Sequence, residues 1–238
     1  MFPIADDNSE IRIIPFVTYV IIILNVIVFT LLQGFGGNDA FTYAFSLVPR
    51  EITTGQDLIS LTPITDSAGK ILGQLQHEPA LFGVYFNFIS SMFMHGDFMH
   101  IFGNMLFLWI FADNIENRIG HFRFVIFYLI CGLAAAFGQI IMDTNSVIPM
   151  LGASGAISGV LGGYLVLFPN KQVRAIMFSF VMTTIPAFVA LGLWIGFQLL
   201  QGFLSSGATG GVAYAAHIGG FVAGLVLIKI FALGKKVD

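Results

Sequence analysis

The chain has 238 residues, of which 57% are hydrophobic and 10% charged, and its mean hydropathy is +0.89. A soluble domain carries about 25% charged residues, so the composition excludes one, and with it disorder and a disulfide-stapled secreted module. The formal net charge is −3 and the ten Lys and Arg form no basic run, so nucleic acid is excluded as a partner. The single cysteine, Cys131, has no internal bridging partner. What remains is a polytopic membrane protein, read as one domain over residues 1–238.

A helix needs about 20 apolar residues to cross the hydrocarbon core. In chain order the candidate spans are Ile13–Leu32, Phe93–Ala112, Phe122–Met142, Ser154–Phe168, Ala175–Leu204 and Val212–Leu233. The first follows a segment with Asp6, Asp7 and Glu10, and no small-residue cleavage site comes after it. It reads as a retained anchor rather than a signal or transit peptide. The loop Gln33–Met92 is too long for a plain connector. Its prolines and glycines, mixed with apolar clusters such as Leu58–Ile59, predict a partly structured segment packed on the bundle at the interface. The fourth span, about 22 Å long at ~1.5 Å per residue, need not reach both surfaces if its first residues face protein or water. The expected fold class is an all-α membrane protein, a six-helix bundle with a long first loop.

Orientation follows from the basic residues. Arg12, then Arg118 and Arg123, then Lys171 and Arg174, then Lys229, Lys235 and Lys236 fall in alternate segments. Arg50 and Lys70 lie in the long loop beside Glu51, Asp57, Asp66 and Glu78, and the loops around Asp143–Leu151 and Ser205–Gly211 have no Lys or Arg. Both termini are therefore expected in the cytoplasm and the first loop outside.

Strongly polar residues within spans are functional candidates, because burying them unpaired in lipid costs several kcal/mol. Spans two, four and six all run from outside to inside. Between them they place His95, His100, Asn104, Ser154 and His217 in one layer near the outer face. His100 and Asn104, four residues apart, share a helix face. Gly155, Gly159 and Gly163 in span four, and Gly220 and Gly224 beside His217 in span six, allow close helix approach. That approach brings Ser154 within reach of His217. A serine alone more often bonds back to its own helix, and a histidine alone more often makes an interhelical hydrogen bond. Together they suffice for nucleophilic acyl transfer, since a neutral imidazole can take the serine proton near pH 7. Ser154 heads its span, so free N–H groups and the helix dipole favour a developing oxyanion, and His100 and Asn104 are further donors. With no carboxylate in mid-membrane to orient His217, a dyad is expected rather than a triad. His95, five residues from His100, reads as structural, and His77 and His121 as solvated loop residues.

His95-x4-His100-x3-Asn104, Glu116-Asn117-Arg118-Ile119-Gly120, Gly152-Ala153-Ser154-Gly155 and Ala216-His217-x2-Gly220-x3-Gly224 stand in order between about Met92 and Leu233. Each motif alone is weak, but together on a six-span chain they resemble the rhomboid intramembrane serine proteases. The resemblance implies Ser154 as nucleophile and His217 as general base. It implies His100, Asn104 and the Ser154 N–H as the oxyanion hole. Glu116 and Arg118 would tie the loop after span two, Gly220 and Gly224 would pack span six on span four, and span five would be the lateral gate. It further implies cleavage of single-span membrane proteins near the extracytoplasmic face, in a bacterial cytoplasmic membrane, with no metal or cofactor. Two positions depart from the pattern. Phe86-Asn87 stands where many bacterial relatives carry Trp-Arg, and Ser158 stands where some carry an aromatic residue that stacks on the histidine; a hydroxyl or water is expected to orient His217 instead. The competing readings are a catalytically silent client-binding relative, which usually lacks the serine or histidine, and a small-solute transporter. A transporter would need polar groups in the cytoplasmic halves of the spans, which are almost purely apolar. Metal binding is disfavoured by the His95/His100 spacing and the absence of His-Glu-x-x-His.

Overall fold

The computed structural model describes residues 2–65, 69–176, 181–204 and 213–234. Strand β1 (Phe2–Asp6) leads into helix α1 (Phe16–Ile27), which widens into a π-helical segment, Val28–Leu32. Pro15 stands at the α1 N-cap and supplies no side-chain acceptor. The acceptor comes from a distant part of the chain. The Glu116 carboxylate takes the N–H groups of Val17 at 2.8 Å and Thr18 at 2.7 Å, and the Thr18 hydroxyl at 2.7 Å. It thereby satisfies donors that the first turn of any helix leaves open.

The long first loop is structured, as expected. It holds α2 (Asp39–Ala44), α3 (Pro49–Thr54), a hairpin of β2 (Leu61–Thr65) and β3 (Ile71–Gln76), and α4 (Asn87–Ser90). Asn87, at one of the two positions that depart from the family pattern, pins the loop from within: its Nδ2 donates to Ser46 O at 2.8 Å. Leu47 and Met150 exchange backbone hydrogen bonds, which fastens the loop to the segment ahead of Ser154. His77 is buried, not solvated as expected.

Helix α5 (Phe98–Ile119) starts and ends later than the second predicted span. It starts late because Gly96 and Asp97 interrupt the apolar run, and Asp97 Oδ1 caps the helix through His100 N at 2.9 Å. It continues through the polar run Asp113–Ile119 because those side chains find partners in the N-terminal segment. Asn114 Nδ2 donates to Asp6 Oδ2 at 2.8 Å, and Asn117 Oδ1 accepts from Arg12 N at 2.9 Å. His95 therefore lies ahead of the helix, and Glu116 and Arg118 lie on its last turn rather than in a loop. Gly120, with φ +83°, makes the whole turn into α6 (His121–Met142). His121 Nδ1 sits 2.5 Å from Glu116 Oε1, so this histidine is paired as well as partly exposed.

Helix α7 (Ser154–Leu167) is buried at every position from Gly155 to Tyr164, as a helix apolar on all sides must be. Strands β4 (Gln172–Ile176) and β5 (Met182–Pro186) follow and form an antiparallel sheet in the order β1-β4-β5. They correct the fifth predicted span. The β-branched and Thr-rich residues before Pro186 pair as strands, and the helix, α8, runs only over Ala187–Leu204. Helix α9 (Tyr214–Phe231) completes the bundle. Among the described residues the fold is thus mostly helical with two small sheets, not purely α. By length and composition α5, α6, α8 and α9 are able to cross a membrane, whereas Phe16–Leu32 and α7 are shorter apolar helices.

The core lies where α5, α6, α7 and α9 meet, around Leu108, Phe111, Phe127, Tyr128, Val160, Leu161 and Phe221. Glycine makes the α7–α9 contact possible. A methyl on Gly220 would run into the carbonyl oxygen of Gly155, and one on Gly224 into that of Gly159. Gly155 itself faces Ala135 of α6, and Gly159 faces Cys131.

Candidate active site

Ser154 is the first residue of α7, and Ala153 before it offers no capping side chain. The N–H groups of that first turn have no intrahelical acceptors and point toward the serine end of the helix. Gly152, with φ +126°, bends the chain into this position, and its N–H is held by Ser91 O at 2.9 Å. A Cβ at Gly152 would lie 2.9 Å from the His100 ring and 3.5 Å from Ser154 Oγ, so the ring and the hydroxyl border the same small space.

His217 lies in the first turn of α9. Its Nε2 is 2.8 Å from Ser154 Oγ and its Nδ1 is 3.0 Å from Gln198 Oε1 of α8. An amide oxygen only accepts, so the ring proton sits on Nδ1 and the Nε2 lone pair faces the serine hydroxyl. That is the arrangement in which an imidazole can take a serine proton. The Trp194 ring, one turn earlier on α8, lies 6.1 Å from the His217 ring at 35°. The groups of α8 that meet the His217 ring are thus an amide and an indole. Ser158, which stands where some relatives carry an aromatic residue, donates to Ser154 O at 2.6 Å along its own helix.

His100 Nδ1 accepts from Gly96 N at 3.3 Å, which leaves the proton on Nε2, the nitrogen turned toward Gly152. Asn104, one turn further along α5, is buried, and its Nδ2 has no hydrogen-bond partner among the described residues. It is a buried donor one turn from His100, with no acceptor among the described residues. His95 is fully buried and packs edge-on against His100, with ring centroids 5.0 Å apart. Its backbone is gripped by the Gln33 side chain, which accepts from His95 N at 3.0 Å and donates to His95 O at 2.9 Å. A cleft beside Ser154 is lined by small and apolar residues, among them Gly132, Ala135, Ala136, Met150 and Ala216.

Of the residues singled out in the sequence, Ser154, His217, His100 and Gly152 come together, with Asn104 adjacent on α5. Gly155, Gly159, Gly220 and Gly224 form the helix contact behind them. Glu116 and Arg118 lie at the far end of α5. Gln198 was missed, although the signal was present: it is a lone amide in the otherwise apolar run Ala187–Leu200.

A family model described as Rhomboid domain matches residues 83–233. Rhomboid protein 1, mitochondrial, of Saccharomyces cerevisiae is 31% identical over 58% of this chain and 39% of its own length. RHOMBOID-like protein 5 of Arabidopsis thaliana is 32% identical over 66% of this chain and 47% of its own. Rhomboid protease GluP of Bacillus subtilis is 27% identical over 94% of this chain and 37% of its own. The chain thus spans well under half to just under half of these relatives' length. With the domain matched over more than half of its residues, the chain belongs to the rhomboid family of integral membrane proteins.

Proposed function

We propose that the protein is an intramembrane serine endopeptidase that cuts single-span membrane proteins near the extracytoplasmic face of a bacterial cytoplasmic membrane. In this reading α1 with its π extension, α5, α6, α7, α8 and α9 form six spans of one domain, with both termini cytoplasmic. The observation that carries the proposal is the 2.8 Å contact between Ser154 Oγ and His217 Nε2 at the head of α7. The name of the Bacillus subtilis relative, a protease, supports the same chemistry.

Ser154 Oγ attacks the scissile carbonyl as its proton passes to His217 Nε2. The tetrahedral oxyanion is held by the Ser154 N–H, His100 Nε2–H and Asn104 Nδ2–H. As the C–N bond breaks, His217 returns the proton to the leaving amine, and a water activated by the same imidazole hydrolyses the acyl-enzyme. No step calls on a metal or cofactor. In proteoliposomes with a single-span reporter, Ser154→Ala and His217→Ala should each lower cleavage by about 10³-fold or more. Cleavage by both variants at the wild-type rate would overturn the assignment.

A further inference from the structure

Helix α8 is the least embedded of the long helices. Among its described residues only Ala187, Ala190, Leu191 and Gln198 are buried, while Leu193, Phe197, Leu199, Leu200, Phe203 and Leu204 are more than half exposed. A nearly buried amide on a helix that otherwise faces lipid is costly unless it is paired. Gln198 Oε1 is paired with His217 Nδ1, at 3.0 Å. We propose that Gln198 is the positioning residue of the site: by accepting the Nδ1 proton it holds His217 in the tautomer whose Nε2 can take the Ser154 proton. This deepens the protease reading and rests on it.

The chemistry demands some such acceptor. Without one at Nδ1 the imidazole also populates its Nε2–H form, in which the ring donates to Ser154 Oγ and cannot act as its base. Trp194 restrains the ring plane but offers Nδ1 no acceptor. Gln198 therefore takes the place a carboxylate fills in a charged triad, but as a neutral group that a bilayer tolerates more readily. Among the described residues His100 of α5 is the titratable side chain that bears electrostatically on His217. The orienting amide and the restraining indole both ride on α8, so any displacement of α8 from α9 removes them together.

The test compares full-length wild type with Gln198→Leu and Gln198→Glu in proteoliposomes, using a single-span reporter, a fluorophosphonate probe and nitrogen-15 NMR of the His217 ring. Gln198→Leu should lower kcat about 10- to 100-fold with little change in KM, and slow labelling of Ser154 by a similar factor. Its NMR signature should move from Nδ1–H toward a mixture of tautomers. Gln198→Glu should recover most of kcat at alkaline pH and shift the acid limb of the kcat/KM profile up by about one pH unit or more. Wild-type kcat and tautomer in Gln198→Leu would overturn the proposal, as would a loss of activity that only follows a loss of folded protein and leaves the tautomer unchanged. If wild type neither cuts nor labels, the protease reading fails, and the tautomer measurement, which needs no turnover, still decides the role of Gln198.

Discussion

Gly152 meets two requirements at once. Its φ of +126° is one that side-chain-bearing residues rarely adopt, and a Cβ there would press on the His100 ring. The backbone is shaped so that imidazole, hydroxyl and helix terminus share one small space. Asn104 fits this arrangement as a donor without an acceptor among the described residues. Asn104→Ala should therefore lower kcat by about 10²- to 10³-fold, typical of a lost oxyanion donor. The thermal midpoint should stay nearly unchanged, since its Nδ2 makes no hydrogen bond among the described residues. A normal rate with a large drop in midpoint would contradict the oxyanion role. Ser154, His217, His100 and Asn104 were legible in the sequence because polar side chains in apolar runs carry a high cost. Gln198 bears the same mark, but its partner His217 lies on another helix, and only the packing of α8 on α9 reveals the pair.

Among the elements, the apolar windows disclosed where the helices lie but not where they stop. A window average sees the polar run Asp113–Ile119 as a loop. The chain keeps it helical because Asn114, Glu116 and Asn117 are satisfied by residues of the N-terminal segment, far away in sequence. The strands before α8 were hidden for a similar reason: β4 is ordered by pairing with β1, from the opposite end of the chain. Glu116 joins two elements, capping α1 from the last turn of α5. Glu116→Gln keeps the shape but loses the charge and turns an amide N–H toward backbone donors. It should lower unfolding stability by about 1–3 kcal/mol, read from denaturation in detergent. Unchanged stability would show that α1 does not depend on this carboxylate.

Across the whole molecule, the β1-β4-β5 sheet and the ends of α5 and α7 close around Asp6. Its Oδ2 accepts from Tyr164 Oη at 2.6 Å and from Asn114 Nδ2, and Lys171 bonds Asn114 in turn. Burial raises the Asp6 carboxyl from 3.8 to about 6, against a smaller opposing pull from Tyr164 and Lys171. A carboxyl raised in the folded state takes up its proton more readily folded than unfolded. Its contribution to stability is therefore full below about 3.8 and is lost as pH rises through about 6. Asp6→Asn should flatten the decline of the thermal midpoint between about pH 3.8 and about 6, and an unchanged slope would assign that decline to other groups.

The proposed chemistry requires that His217 activate Ser154. Fluorophosphonate labelling of the protein in liposomes, with the modified residue mapped by mass spectrometry, tests it most directly. The adduct should form on Ser154 in wild type and be slowed by orders of magnitude in a folded His217→Ala variant. An adduct on another residue, or equal labelling rates in the two proteins, would contradict it.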